Sequence, residues 1–165
     1  MTDTTWEQRV ADLWAAADRY PEAELRELME GLVAELPDGS PIAAYERGSV
    51  WDSTGHPDRA VPLYRDALAN GLSGRRRREA VIQLASSLRN LGQADESVAL
   101  LTAEAAAGSD GLDDAVDAFL ALALVDTGRE REAVAVALTA LSRHLTRFQR
   151  SLVAYTRELT DTSDD

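Results

Sequence analysis

The amino-acid sequence predicts an all-α fold of about nine helices, in which three helical hairpins are copies of one pattern. Three observations carry that prediction. The segments GHPDRAVPLYRDAL, GQADESVALLTAEA and GREREAVAVALTAL begin at Gly55, Gly92 and Gly128, 37 and 36 residues apart, and self-similarity at such a period marks stacked repeats. After each glycine the same helix face recurs: small Ala60, Ser97 and Ala133, then Val61, Val98 and Val134, then Tyr64, Leu101 and Ala137. Before each glycine lies a second helical pattern, clearest as Val81, Leu84, Ala85 and Leu88 in REAVIQLASSLRNLG. Its other copies read Ala44, Arg47, Gly48, Trp51 and Asp117, Leu120, Ala121, Leu124. The third member is small each time, which lets a partner helix come close. The glycine itself suits the left-handed residue that ends a helix, having no Cβ to clash. The unit is helix, tight turn, helix.

The elements follow in order within one domain over residues 1–160. An N-terminal helix pair occupies 4–36. Its first member carries Trp6, Val10, Leu13, Trp14 and Ala17 on one face, with Thr4 and Glu7 spaced as a capping box. Its second begins at Pro21, suited to a first turn, and turns Leu25, Leu28, Met29, Leu32, Val33 and Leu36 inward. The loop PDGSP leads to Ser40 as N-cap and Pro41 as first helical residue. The repeats span 41–72, 75–108 and 113–144. A capping helix over 145–160 offers Phe148, Leu152, Tyr155 and Leu159 to cover the last repeat, and 161–165 form a frayed acidic tail.

Composition excludes several chemistries. The chain has no cysteine, so disulfides, thiol nucleophiles and cysteine-bound zinc are impossible. All 17 basic residues are arginine, which removes Schiff-base catalysis and the P-loop lysine. With 29 acidic residues the net charge is −12, which disfavours nucleic acid as a partner through long-range repulsion. The longest apolar run, Ala118 to Val125, is far below the ~20 residues of a membrane span, and the N-terminus lacks a basic, apolar signal. A soluble cytoplasmic protein without membrane contact is the expectation.

Catalytic, metal-binding and cofactor-binding patterns find no support. His56 precedes Pro57 in a turn and reads as a cap for the following helix, while His144 falls near a helix C-terminus. The stretch GSDGLDD lacks the ligand spacing of a calcium loop, and its Asp110 and Asp113 read as turn and N-cap residues for a helix starting near Asp114. No glycine cluster follows a phosphate-cradling pattern and no serine sits in a nucleophile elbow.

The repeat pattern resembles the tetratricopeptide repeat over Pro41 to Leu145, on the small Gly48, Ala85 and Ala121, the large Trp51, Leu88 and Leu124, and the small Ala60, Ser97 and Ala133. It departs from that family at the repeat ends, which carry Leu72, Ser109 and Leu145 instead of proline, and at Arg47 and Glu104. The whole chain resembles the bacterial subgroup called tetratrico peptide repeat group 5. The resemblance implies a right-handed α-solenoid whose first helices line a concave groove. Its stripes would be Ile42, Tyr45, Glu46, Ser49 and Asp52, then Glu79, Ile82, Gln83, Ser86, Arg89 and Asn90, then Phe119, Leu122, Val125 and Asp126.

The function so implied is non-catalytic binding of a protein partner, a peptide or helix anchored by Tyr45 and Phe119 and oriented by Gln83, Arg89 and Asn90. The alternative is a homodimer that buries the groove or the apolar third-repeat face. A small-ligand-binding regulator is a third reading. Within the run Arg75 to Arg78, helical spacing assigns Arg75 and Arg76 to partner contact and Arg77 and Arg78 to structure.

Overall fold

The computed structural model describes residues 4–161, and among them the regular structure is entirely helical. The chain divides into two compact units, Met1–Gln83 and Leu84–Asp165, with the division inside one helix.

The first unit contains α1 (Thr4–Ala15), a 3-10 turn at Ala17–Arg19, α2 (Glu22–Val33), α3 (Pro41–Ser53), α4 (Pro57–Ala69) and the opening turns of α5 (Gly74–Asn90). The apolar stripes of α1 and α2 close on each other and on α3, so that Trp6, Val10, Leu13, Leu25, Met29, Val33, Ala43 and Val50 form one core. The indole of Trp6 donates at 2.8 Å to the Leu32 carbonyl, which also accepts from the Glu35 amide at 3.2 Å, so α1 is tied to the last turn of α2. Leu28, expected inside, lies exposed at the edge of its stripe, because the contacts of α2 centre on Leu25, Met29 and Val33. The cap of α3 is as the sequence predicts: Ser40 Oγ accepts from the Ala43 amide at 3.4 Å, with Pro41 opening the helix.

Gly48 explains the close approach of α3 and α4. A Cβ built there would stand 2.9 Å from Cδ1 and Cε1 of Tyr64, whose ring is fully buried. Arg47, at a position usually apolar, instead turns to α2 and grips Glu30 with both of its forked donors, at 2.6 and 2.8 Å.

The second unit holds the remainder of α5, then α6 (Ala94–Ala107), α7 (Asp113–Asp126), α8 (Glu130–Ser142) and α9 (Gln149–Thr160). Within it α6 packs on α7, α7 on α8 and α8 on α9. Leu88, Leu101, Val116, Ala123 and Leu124 are almost completely buried.

All three repeated turns close identically. In each, the glycine has positive φ (77°, 78° and 74° at Gly55, Gly92 and Gly128). The next residue donates back to the carbonyl of the large repeat residue: His56 to Trp51, Gln93 to Leu88 and Arg129 to Leu124, each at 2.9 Å. The glycine amide donates to the carbonyl three residues before it, which completes a Schellman motif and uses two otherwise open helix-end carbonyls.

Several local expectations need correction. His56 occupies the N-cap position of α4 without a side-chain cap; its ring stands edge-on to Trp51 at 5.2 Å, where apolar contact replaces capping. The helix near Asp114 starts at Asp113 with Leu112 as its cap residue, while Asp110 Oδ1 accepts from Leu112 N at 2.7 Å and Asp113 Oδ1 from Asp110 N at 3.0 Å. In the capping helix, Phe148 lies before the first turn with φ 69° and is 74% exposed, and Tyr155 is exposed as well. The docking face is rotated by about one residue, with Thr156 buried and Leu152, Val153 and Leu159 half-buried. Thr139 Oγ1 on α8 lies 3.3 Å from Thr156 Oγ1 there, while each hydroxyl also donates to a carbonyl of its own helix, Ala135 at 2.7 Å and Val153 at 2.9 Å. The Thr4 side chain of the proposed capping box and residues 162–165 of the acidic tail lie outside the described residues.

Candidate functional site

The predicted groove residues fall into two sets, one in each unit. In the first unit, Tyr45, Ser49 and Asp52 on α3 meet Glu79 and Gln83 on α5 around an open hollow of about 500 Å³, with Ser53 and Trp14 completing its lining. Spacing accounts for the α3 members, since positions three and four apart share a helix face. Tyr45 is buried up to its hydroxyl, which donates to Glu79 Oε2 at 3.0 Å. Burial pushes the Tyr45 phenol far above its ordinary range, and the charges of Glu79 and Glu46 add to this, so it stays a neutral donor. Behind it the Tyr64 ring lies 6.2 Å away, tilted by 47°, and the Tyr64 hydroxyl donates to Asp52 Oδ2 at 3.4 Å.

A second hollow of about 490 Å³ adjoins the first, and Trp14, Tyr45 and Glu79 line both. Its base is Glu46, which is only 2% exposed. Glu46 Oε2 accepts from the Trp14 indole at 3.0 Å, and Oε1 accepts from Arg76 Nε at 3.0 Å. The two terminal nitrogens of Arg76 then clasp Glu7 on α1 at 3.0 and 2.6 Å. Burial raises the Glu46 carboxyl above the usual range, partly offset by the Trp14 and Arg76 hydrogen bonds. Burial works against the Arg76 charge, but its bonds to Glu7 and Glu46 prevail and hold the guanidinium protonated.

This geometry redraws the division of the four arginines. Arg76 is a structural clasp between α1, α3 and α5, because its position on the helix faces two carboxylates that only the tertiary fold brings near. Arg78 is 7% exposed, Arg77 lies on the exposed side, and Arg75 is 79% exposed while its Nε donates to Glu79 Oε1 at 2.7 Å. Arg75 alone of the two proposed contact residues has its side chain mostly in solvent.

In the second unit, Arg89 does not present an open cation: its Nε is 2.6 Å from Asp126 Oδ2, so the α5 and α7 stripes pair with each other. Ser86 is half-buried, Asn90 exposed and Phe119 half-buried, whereas Leu122 is 46% exposed and Val125 similar. His144 Nε2 lies 2.8 Å from Asp114 Oδ2, and Arg143 Nη1 is 2.7 Å from the other oxygen of the same carboxylate. These bonds hold the Asp114 carboxyl below its usual range. They tie the end of α8 to the start of α7, and this is the structural account of both residues. Among the described residues no group of three His, Asp or Glu is disposed to hold a metal ion, and no helix is long and apolar enough to cross a membrane.

Trp14, Ser53 and Glu7 line the two hollows without having been expected from the sequence. Trp14 reads as core, yet it lies about 80° round α1 from Trp6 at 100° per residue, on the flank of the apolar stripe. That flank position, with an indole N–H to satisfy, is the available signal. Glu7 carries no comparable signal, because its partner Arg76 is 69 residues away.

Comparison with curated proteins finds no match. A family model described as tetratrico peptide repeat matches residues 41–159, most of the chain and all three glycine-closed hairpins. With that match and three hairpins closed by the same turn at the same spacing, the chain belongs to the tetratrico peptide repeat family.

Proposed function

We propose that this protein is a non-catalytic interaction module whose first unit receives a peptide or a helix of a protein partner in the hollow between α1, α3 and α5. Its family fold generally serves protein interaction. The carrying observation is the convergence of Tyr45, Ser49, Asp52, Glu79 and Gln83, with Trp14, on one open depression. Aromatic bodies with polar tips beside amide, hydroxyl and carboxylate groups supply both an apolar anchor and orientation for a polypeptide. Peptides selected by display on the wild-type protein test this against Ser53→Trp, a bulky change at an exposed position of the rim. At least about a tenfold loss of affinity is the expected result. Unchanged binding places the interface elsewhere.

A second reading, a homodimer, draws on Leu122 and Val125, both about half exposed on α7 beside Phe119. Side chains of this kind on one helix mark contact surfaces when they adjoin. Light scattering after size exclusion decides it: this reading requires a wild-type dimer that Leu122→Glu converts to monomer, and a monomeric wild type eliminates it.

A further inference from the structure

We infer that the molecule associates head to tail, with Phe148 of one copy entering a hollow between α1 and α2 of a second copy. This contact is separate from the groove and from the α7 face considered above. The hollow measures about 320 Å³. That is the low end of the roughly 300–1,000 Å³ of small-ligand sites, so it suits one large side chain and not a whole segment. Its walls are apolar, from Leu13, Tyr20, Leu28 and Leu32. Gly31 adds no side chain, and a Cβ built there meets nothing within 4 Å. Leu28 is exposed, and a docked ring would take it out of water. The cation of the lining, Arg9, is held by both oxygens of Glu35 at 2.7 and 2.5 Å, while Asp12 adds a carboxylate to the rim.

Phe148 has the form of the matching part. Among the described residues it is the one non-glycine with positive φ, 69°, a conformation that a bulky residue adopts only at a cost. Held in this way at the entry to α9, its ring stays in solvent. The Arg147 guanidinium stands 5.4 Å from the ring centre, so the apolar knob carries a cation at its side. Charge selects a second copy as the occupant. Residues 4–36 include eight acidic and three basic side chains, whereas residues 143–160 include four arginines and one glutamate in a chain of net charge −12. Asp12, Asp18, Glu24 and Glu27 are exposed on the first segment, and Arg147, Arg150 and Arg157 on the second. Unlike segments of two copies therefore attract, and like segments repel. Because the two surfaces differ, each contact leaves one knob and one hollow unused, and association either runs on as a chain or closes as a ring.

Sedimentation and light scattering of the full chain over a concentration series test this. The wild type is expected to form species larger than a dimer at concentrations up to about 1 mM, and salt should weaken them. Phe148→Ser removes the knob from an exposed position, and Gly31→Trp fills the hollow from a position with open space around it. Each variant alone should be monomeric. Mixed, the two retain one hollow and one knob between them and should form a one-to-one dimer that grows no further. Circular dichroism checks the fold of each variant, and Leu28→Arg takes the place of Gly31→Trp if that variant does not fold. A wild type that stays monomeric throughout the series overturns the inference, and so does a mixture that stays monomeric. An assembly that Phe148→Ser leaves intact overturns it as well; if Leu122→Glu dissolves that assembly, the contact belongs to the α7 face.

Discussion

Arg76 and Glu7 are 69 residues apart in sequence, yet two guanidinium nitrogens of Arg76 meet both Glu7 oxygens while its third reaches Glu46. One side chain therefore holds α1 and α3 to the start of α5. It also answers the opposition between four cations and the positive end of a helix dipole, since Arg76 is neutralised by tertiary partners and Arg75 by Glu79.

Removing this clasp should cost more than removing an ordinary surface pair. Arg76→Ala leaves the Glu46 carboxylate buried without its counter-charge, and a loss of about 2 kcal/mol is expected, below the ~3–5 kcal/mol of a fully buried pair because Arg76 is partly exposed. Urea unfolding measures it. Arg76→Lys should recover little, as an ammonium cannot serve both carboxylates in the same geometry. Adding Glu46→Gln to Arg76→Ala should restore part of the loss.

Glu46 should also leave a mark on the pH dependence of stability. Its folded carboxyl titrates above the reference 4.5, so between that value and its raised folded value the native state binds more protons than the unfolded chain. Stability contributed by this group therefore falls as pH rises through that window. Glu30 works in the opposite sense: the hydrogen bond from Arg47 lowers its pKa, and its contribution is lost as pH falls through the folded value. The difference in unfolding free energy between wild type and Glu46→Gln isolates Glu46. It should move against the wild type as pH rises above about 4.5 and then level off. A difference independent of pH would refute this.

Gly48→Ala tests the close approach of α3 and α4. Helix propensity alone favours alanine by up to ~1 kcal/mol. The added carbon would meet two ring atoms of Tyr64 at 2.9 Å, and that ring is completely buried. Overpacking of this kind costs roughly 1–3 kcal/mol, so a net destabilisation of about 1 kcal/mol is expected in thermal or urea unfolding.

Gly92→Ala has no steric neighbour within 4 Å, so its cost isolates the backbone conformation at φ 78°. A loss of about 1 kcal/mol is expected, and Gly92→Asn should lose less because asparagine tolerates the left-handed region better. Equal effects of the two replacements would contradict the conformational account.

The hairpins are legible in the sequence because their signals are local. Gly55, Gly92 and Gly128 mark the turns, Ser40 and Pro41 mark a start, and the small-large alternation marks the faces. The α3 and α5 members of the first-unit hollow are legible for the same reason, given the repeat register. What the sequence hides depends on tertiary partners. The counter-charges of Arg76 and Arg89 arrive from other helices, so neither residue can be sorted into free or paired from its own stretch. The rotation of α9, which leaves Phe148 and Tyr155 outside and Thr156 buried against α8, is a matter of about one residue, and an amphipathic pattern resolves such a rotation no better than that.

The three Schellman closures have a consequence for how such a chain can change its length. Each turn is completed by its own residues, from the carbonyl of the large residue through the glycine to the amide beyond it. A segment copied from just after one such glycine through the next therefore arrives with both junctions already chemically complete. Tandem duplication of 36 or 37 residues would add a hairpin without any new turn having to be invented.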